Sequence, residues 1–70
     1  MLPLSLADPG KEQIIQRIGG SAQVRQHLEN LGFVAGGTVT VISVLNGNVI
    51  VKVKESRIAL DEKMAGKIMV

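Results

Sequence analysis

Cysteine is absent from the 70 residues, which excludes disulfides, thiolate metal sites and a cysteine nucleophile. Tryptophan and tyrosine are absent as well, and Phe33 is the only aromatic residue. One ring does not make the stacking platform on which proteins bind single-stranded nucleic acid. Histidine occurs once, as His27, and a lone imidazole lacks the converging ligands a metal site needs. Neither sign of charge dominates: 8 Lys and Arg stand against 6 Asp and Glu, for a formal net charge of +2 at pH 7. An excess that small lacks the dense basic patch that neutralises phosphates, so no nucleic-acid partner is expected. No run of 18 apolar residues exists, so no membrane insertion is expected. Met1 to Leu6 is apolar, but it has no basic n-region and stops at Asp8-Pro9-Gly10, too short for a secretory signal. The cytoplasm is the default compartment.

Catalytic machinery is missing too. Ser5, Ser21, Ser43 and Ser56 have no base to activate them except His27, and none sits in a strained nucleophile turn. Gly19-Gly20-Ser21 is not a Walker loop and reads more simply as a turn followed by a helix cap. No catalytic residue, cofactor or metal ligand set is assigned, and no enzymatic activity is expected.

What the chain does have is aliphatic bulk. Hydrophobic residues make up 46%, mostly Val, Ile and Leu, whose β-branched members fit a pleated surface. With no disulfide or metal to help, a regular β core must hold one small domain over residues 1–70. Asp8-Pro9-Gly10 is a turn. Glu12 to Ile18, with Ile14, Ile15 and Ile18, reads as a strand ended by Gly19-Gly20. Ser21 is placed as an N-cap, and Val24, Leu28 and Leu31 share one helical face. Gly32 falls where a left-handed C′ residue belongs, and Phe33 at C″ is expected to pack on Leu28. Gly36-Gly37 turns the chain again.

Thr38 to Leu45 and Asn48 to Lys54 flank Asn46-Gly47, the signature of a type I′ hairpin. That turn sets Val44 opposite Val49. An uninterrupted register would then leave Val39 and Val41 beside the lysines, so one extra residue, a β-bulge near Val41 or Ile42, is predicted. Arg57 to Leu60 is a further strand, Asp61 caps one helical turn through Ala65, Gly66 closes it, and Ile68 and Val70 alternate in a last strand. The fold class is mainly β: a small SH3-like barrel of about five strands. One short α-helix lies between the first and second main strands, and a single helical turn precedes the last.

Leu28-x-x-Leu31-Gly32-Phe33-x-x-Gly36, the alternating Val39, Val41 and Ile42 after it, and the ending Arg57-x-Ala59-Leu60 with Ala65-x-x-Ile68-x-Val70 resemble the FeoA family. The opening Leu6-Ala7-Asp8-Pro9-Gly10 is similar to that family's start. The resemblance implies an SH3-like barrel that works beside FeoB, a membrane GTPase that transports ferrous iron, by binding its cytoplasmic part. It also implies a cytoplasmic protein recruited to the inner face of the membrane by that partner. The chain departs from the family pattern at His27, where an Arg is more usual, at its tight Asn46-Gly47 hairpin, and at Glu55-Ser56, where a glycine is common.

The candidate partner-binding residues are Arg25, Val34, Ile50, Lys52, Lys54 and Arg57. Val34 and Ile50, with Leu2, fall off the buried pattern and can anchor a partner. Lys52, Lys54 and Arg57 either rim a docking face that steers an acidic partner or keep strand edges soluble. Arg25 or another arginine reaching into a partner's GTPase site is a further idea. His27 and the carboxylates of Glu12, Glu29, Glu55, Asp61 and Glu62 would bind a hard ion only if folding gathered them, and Met64 and Met69 read as core filler. Two alternatives to a transport accessory protein stay open: a small nucleic-acid-binding barrel, and an Fe(II)-binding sensor or chaperone.

Overall fold

The computed structural model describes every residue, Met1–Val70. A 3-10 turn over Leu4–Leu6 opens the chain. Strands β1 (Glu12–Ile14) and β2 (Arg17–Ile18) follow, then helix α1 (Ala22–Asn30). After it come β3 (Thr38–Leu45), β4 (Asn48–Val53), β5 (Ser56–Asp61), the one-turn helix α2 (Glu62–Ala65) and β6 (Ile68–Met69). The strands form a four-stranded antiparallel sheet in the order β1-β3-β4-β5 and a two-stranded sheet of β2 with β6. They do not close into a barrel, and there are six strands where about five are expected.

The single strand expected over Glu12 to Ile18 is the reason. It breaks at Ile15–Gln16, and the chain passes there from one sheet to the other. Ile15 exchanges backbone hydrogen bonds with the Gly36-Gly37 turn, while the Gln16 N–H donates to the Met69 carbonyl at 2.8 Å. Ile15 is buried and Ile14 exposed, so the three isoleucines do not share one face.

The hairpin β3–β4 is as its turn demands. Asn46 and Gly47 have φ of 52° and 80°, both positive as type I′ requires, and Leu45 pairs with Asn48. The register shifts between Val41 and Ser43, leaving Ile42 as the extra residue. That bulge sets Val39 opposite Val53 and Val41 opposite Val51, and all four are buried. Val44, although paired with Val49, stays exposed with Leu45 because the hairpin tip projects beyond the core. Strand β4 ends at Val53 rather than Lys54: Lys54 and Glu55 form a two-residue turn between the paired Val53 and Ser56.

Thirteen apolar residues make the core, with Phe33, Leu4, Ile15, Leu28 and Ile68 the largest fully enclosed. Burying a Leu or Phe fully contributes about 1.5–3 kcal/mol each. Leu4 belongs to the stretch for which no element is expected from pattern. The termini meet beside it: Leu2 and Val70 exchange two hydrogen bonds of 2.8 Å, and Pro3 bridges to Met69.

Candidate functional site

Helix α1 is fixed at both ends by its own sequence. The Ser21 hydroxyl accepts from the Val24 N–H at 3.2 Å. At the other end the Phe33 N–H donates to the Leu28 carbonyl and the Gly32 N–H to that of Glu29, both at 2.9 Å. With Gly32 at φ 107° this is the Schellman ending, and it turns Phe33 back into the core. Leu28 is the buried residue of the helix, so Arg25 and Glu29, one turn apart, point outward together.

Opposite them runs β2, pinned by pairing of Arg17 with Met69 and Ile18 with Ile68. Between the two lies a cleft of about 440 Å³ lined by Gln16, Arg17, Ile18, Arg25, Glu29, Phe33, Val34 and Ala35. Phe33 closes its back without exposing surface, and Val34 stands at its mouth, just over a third exposed. Two arginines, Arg17 and Arg25, line the cleft against one acidic residue, Glu29. Such a lining suits an anionic group, because a guanidinium grips a carboxylate or phosphate with two parallel hydrogen bonds. Ile18, Val34 and Ala35 give the cleft an apolar lining that suits an aliphatic or aromatic side chain.

Only two of the six candidate residues, Arg25 and Val34, meet in this cleft. Lys52, Arg57 and Ile50 lie on the outer face of the four-stranded sheet. There Lys52 sits directly between Thr40 and Arg57, and Ile50 between Ser43 and Ala59. Ile50 is half-buried, shielded by those neighbours. Lys54 stands in the β4–β5 turn with its stem over the end of α1: a Cβ placed on Gly32 would lie 3.7 Å from the Lys54 Cδ. The cation there complements the negative end of the helix.

Arg17, Gln16, Ile18 and Ala35 complete the cleft without having been expected. For Gln16, Arg17 and Ile18 the signal is hidden by the strand break at Ile15–Gln16, whereas Ala35, a small residue in the loop after α1, carries none. His27 is exposed on α1, and no three His, Asp or Glu side chains are grouped to hold a metal ion. Met64 and Met69 are half-buried, Met64 against the core. No helix is long and apolar enough to cross a membrane.

A bulged β3 in a four-stranded antiparallel sheet, with a helix and a second, two-stranded sheet, makes a small SH3-like fold. The fold has solved counterparts. One is a crystal structure of an iron uptake regulatory protein, FeoA, 33% identical, with a TM-score of 0.87 over 96% of this chain and 89% of that one. Another is FeoA of Stenotrophomonas maltophilia complexed with zinc, described as a prokaryotic SH3 domain protein. It is 20% identical, with a TM-score of 0.84 over 99% of this chain and 88% of that one, a likeness of fold. The FeoA domain model matches residues 2–70, and the chain belongs to that family. It is also 39% identical, over its whole length and 85% of the relative's, to a protein of Methanocaldococcus jannaschii named as an Fe(2+) transport protein A.

Proposed function

We propose that this chain is a non-enzymatic accessory protein of ferrous-iron transport, residing in the cytoplasm and binding the cytoplasmic part of an FeoB-like membrane GTPase. The cleft between α1 and β2 carries the reading. Its two arginines and its apolar lining fit a partner segment that presents an acidic residue beside an apolar one. Family membership supplies the transport system. Regulation follows if the cleft binds one nucleotide state of the partner better than the other, since only differential affinity shifts an equilibrium.

The test is an NMR titration of labelled protein with the GTP-binding region of the FeoB from the same organism, with and without a GTP analogue. Shifts should gather on Gln16–Ile18, Arg25, Glu29 and Val34, with a Kd below about 1 mM. The double variant Arg17→Ala/Arg25→Ala should weaken binding at least about tenfold, as loss of a charged contact does. Shifts confined to Ile50, Lys52 and Arg57 would move the contact to the outer sheet face. No shift in either state, nor with full-length transporter in detergent, would end the proposal.

A further inference from the structure

Strand β5 is an unpaired sheet edge, and its sequence is complementary to itself. The two-residue turn at Lys54-Glu55 closes on the pair Val53 and Ser56, with Ile58 opposite Val51 and Leu60 opposite Val49. In such a hairpin the residue after the turn and every second one beyond it bond across to the partner strand. Ser56, Ile58 and Leu60 therefore turn their backbone groups toward β4. Glu62 continues the series, donating its N–H to the Gly47 carbonyl at 3.0 Å. Arg57, Ala59 and Asp61 turn theirs to the open edge, and none of the turn, loop and cap hydrogen bonds uses them. All three side chains are exposed. The elements packed most on β5 are β4, with which it pairs, and the adjoining α2, and β5 ends the sheet order with no strand beyond it.

We infer that this edge pairs with β5 of a second copy, antiparallel and centred on Ala59, joining two four-stranded sheets into one of eight strands. The register selects itself. Centring on Ala59 sets Arg57 of each chain opposite Asp61 of the other, on the same face, and Ile58 opposite Leu60. All of Arg57 to Asp61 then lies in the ladder, with up to six new backbone hydrogen bonds. Centring on Arg57 would oppose two guanidiniums, and centring on Asp61 two carboxylates. Centring on Ile58 would bring Asp61 against Glu55, and centring on Leu60 would demand strand geometry from α2. A two-fold, isologous contact is also the common form of self-association.

A second observation agrees. Within one chain Lys52 and Arg57 stand directly opposite each other, a like-charge cross-strand pair that weakens a sheet. The partner's Asp61 in this register lies beside Arg57 and offsets that repulsion. Asp61 can serve both roles, because one of its oxygens, Oδ1, accepts the Met64 N–H at 2.7 Å and the other remains. A ladder this short buries little area and corresponds to a weak, reversible dimer.

The absence of cysteine permits a clean test. At a two-fold hydrogen-bonded pair the Cα atoms lie about 5.5 Å apart, within disulfide range. Under mild oxidation Ala59→Cys should therefore cross-link into a dimer several-fold faster than Gln23→Cys on exposed α1. Arg57→Cys, about 13 Å from its mate at the strand rise, should not exceed that control. In sedimentation equilibrium the unmodified protein should rise from 7.4 kDa toward twice that mass in the millimolar range, less so at high salt. Ala59→Lys, at an exposed position, should stay monomeric with an unchanged circular dichroism spectrum. Equal cross-linking of all three cysteine variants, or a constant monomer mass together with slow Ala59→Cys cross-linking, would overturn the inference.

Discussion

Lys54 has a φ of 55°, one of two non-glycine residues in the left-handed region. The other, Asn46, is suited to that region by its short polar side chain, whereas a lysine there costs about 1–2 kcal/mol. The two-residue turn imposes the conformation, and the stem over Gly32 gives part of the cost back. Glycine at the position would remove the strain but lose that cover and gain unfolded-state entropy. The net gain for Lys54→Gly is then about 0.5 kcal/mol, a rise in Tm of roughly 2–4 °C for a domain of this size, readable by thermal circular dichroism. At this scale the sequence is informative where chemistry is local. Ser21 and Asp61 announce their caps, and each accepts from the N–H three residues on. The strain at Lys54 is not announced, because nothing in Glu55-Ser56 shows which residue takes the positive φ.

Among elements, α1 depends most on a single position. Gly32 holds φ at 107° so that Phe33 can return its N–H to Leu28 and its ring to the core. A Cβ there would meet only the flexible Lys54 stem and a Val53 methyl at ordinary contact distance, so the cost of Gly32→Ala is conformational rather than steric. About 1–2 kcal/mol is expected, seen as a fall in Tm of roughly 5–15 °C. A drop of less than 2 °C would mean that the helix ends some other way. The hairpin, its bulge at Ile42 and both helices are legible beforehand because each follows from a turn signal joined to a period of two or 3.6. The break at Ile15–Gln16 is not legible. It is made by Met69 and by Gly36-Gly37, which lie more than 20 residues away along the chain, and no local pattern records them. The cleft inherits that gap: Arg25 and Val34 can be singled out from their own segment, while Arg17 joins them only once the chain has changed sheets.

For the whole molecule the ends matter more than their exposure suggests. Met1 and Leu2 are open to solvent, yet Leu4 beside them is fully buried in the common core, and Leu2 and Val70 tie the first and last residues together. A domain of this size has about 3–10 kcal/mol of net stability. Loss of a buried leucine takes about 2–5 kcal/mol of that, and the two bonds to Val70 and the Pro3–Met69 bridge would go with it. Removing residues 1–4 should therefore leave the chain largely unfolded near 37 °C. At lower temperature, amide exchange should lose protection in β2 and β6 before the β3–β4–β5 meander, whose pairing does not touch the ends. Full-length Leu4→Ala separates the two contributions, since it empties the core position while keeping the backbone ladder. If packing dominates, its Tm falls nearly as far as that of the truncated chain. If the ladder dominates, Leu4→Ala melts well above the truncated form and β6 keeps its protection. Equal Tm values for the truncated and intact chains would show that the core closes without its first residues.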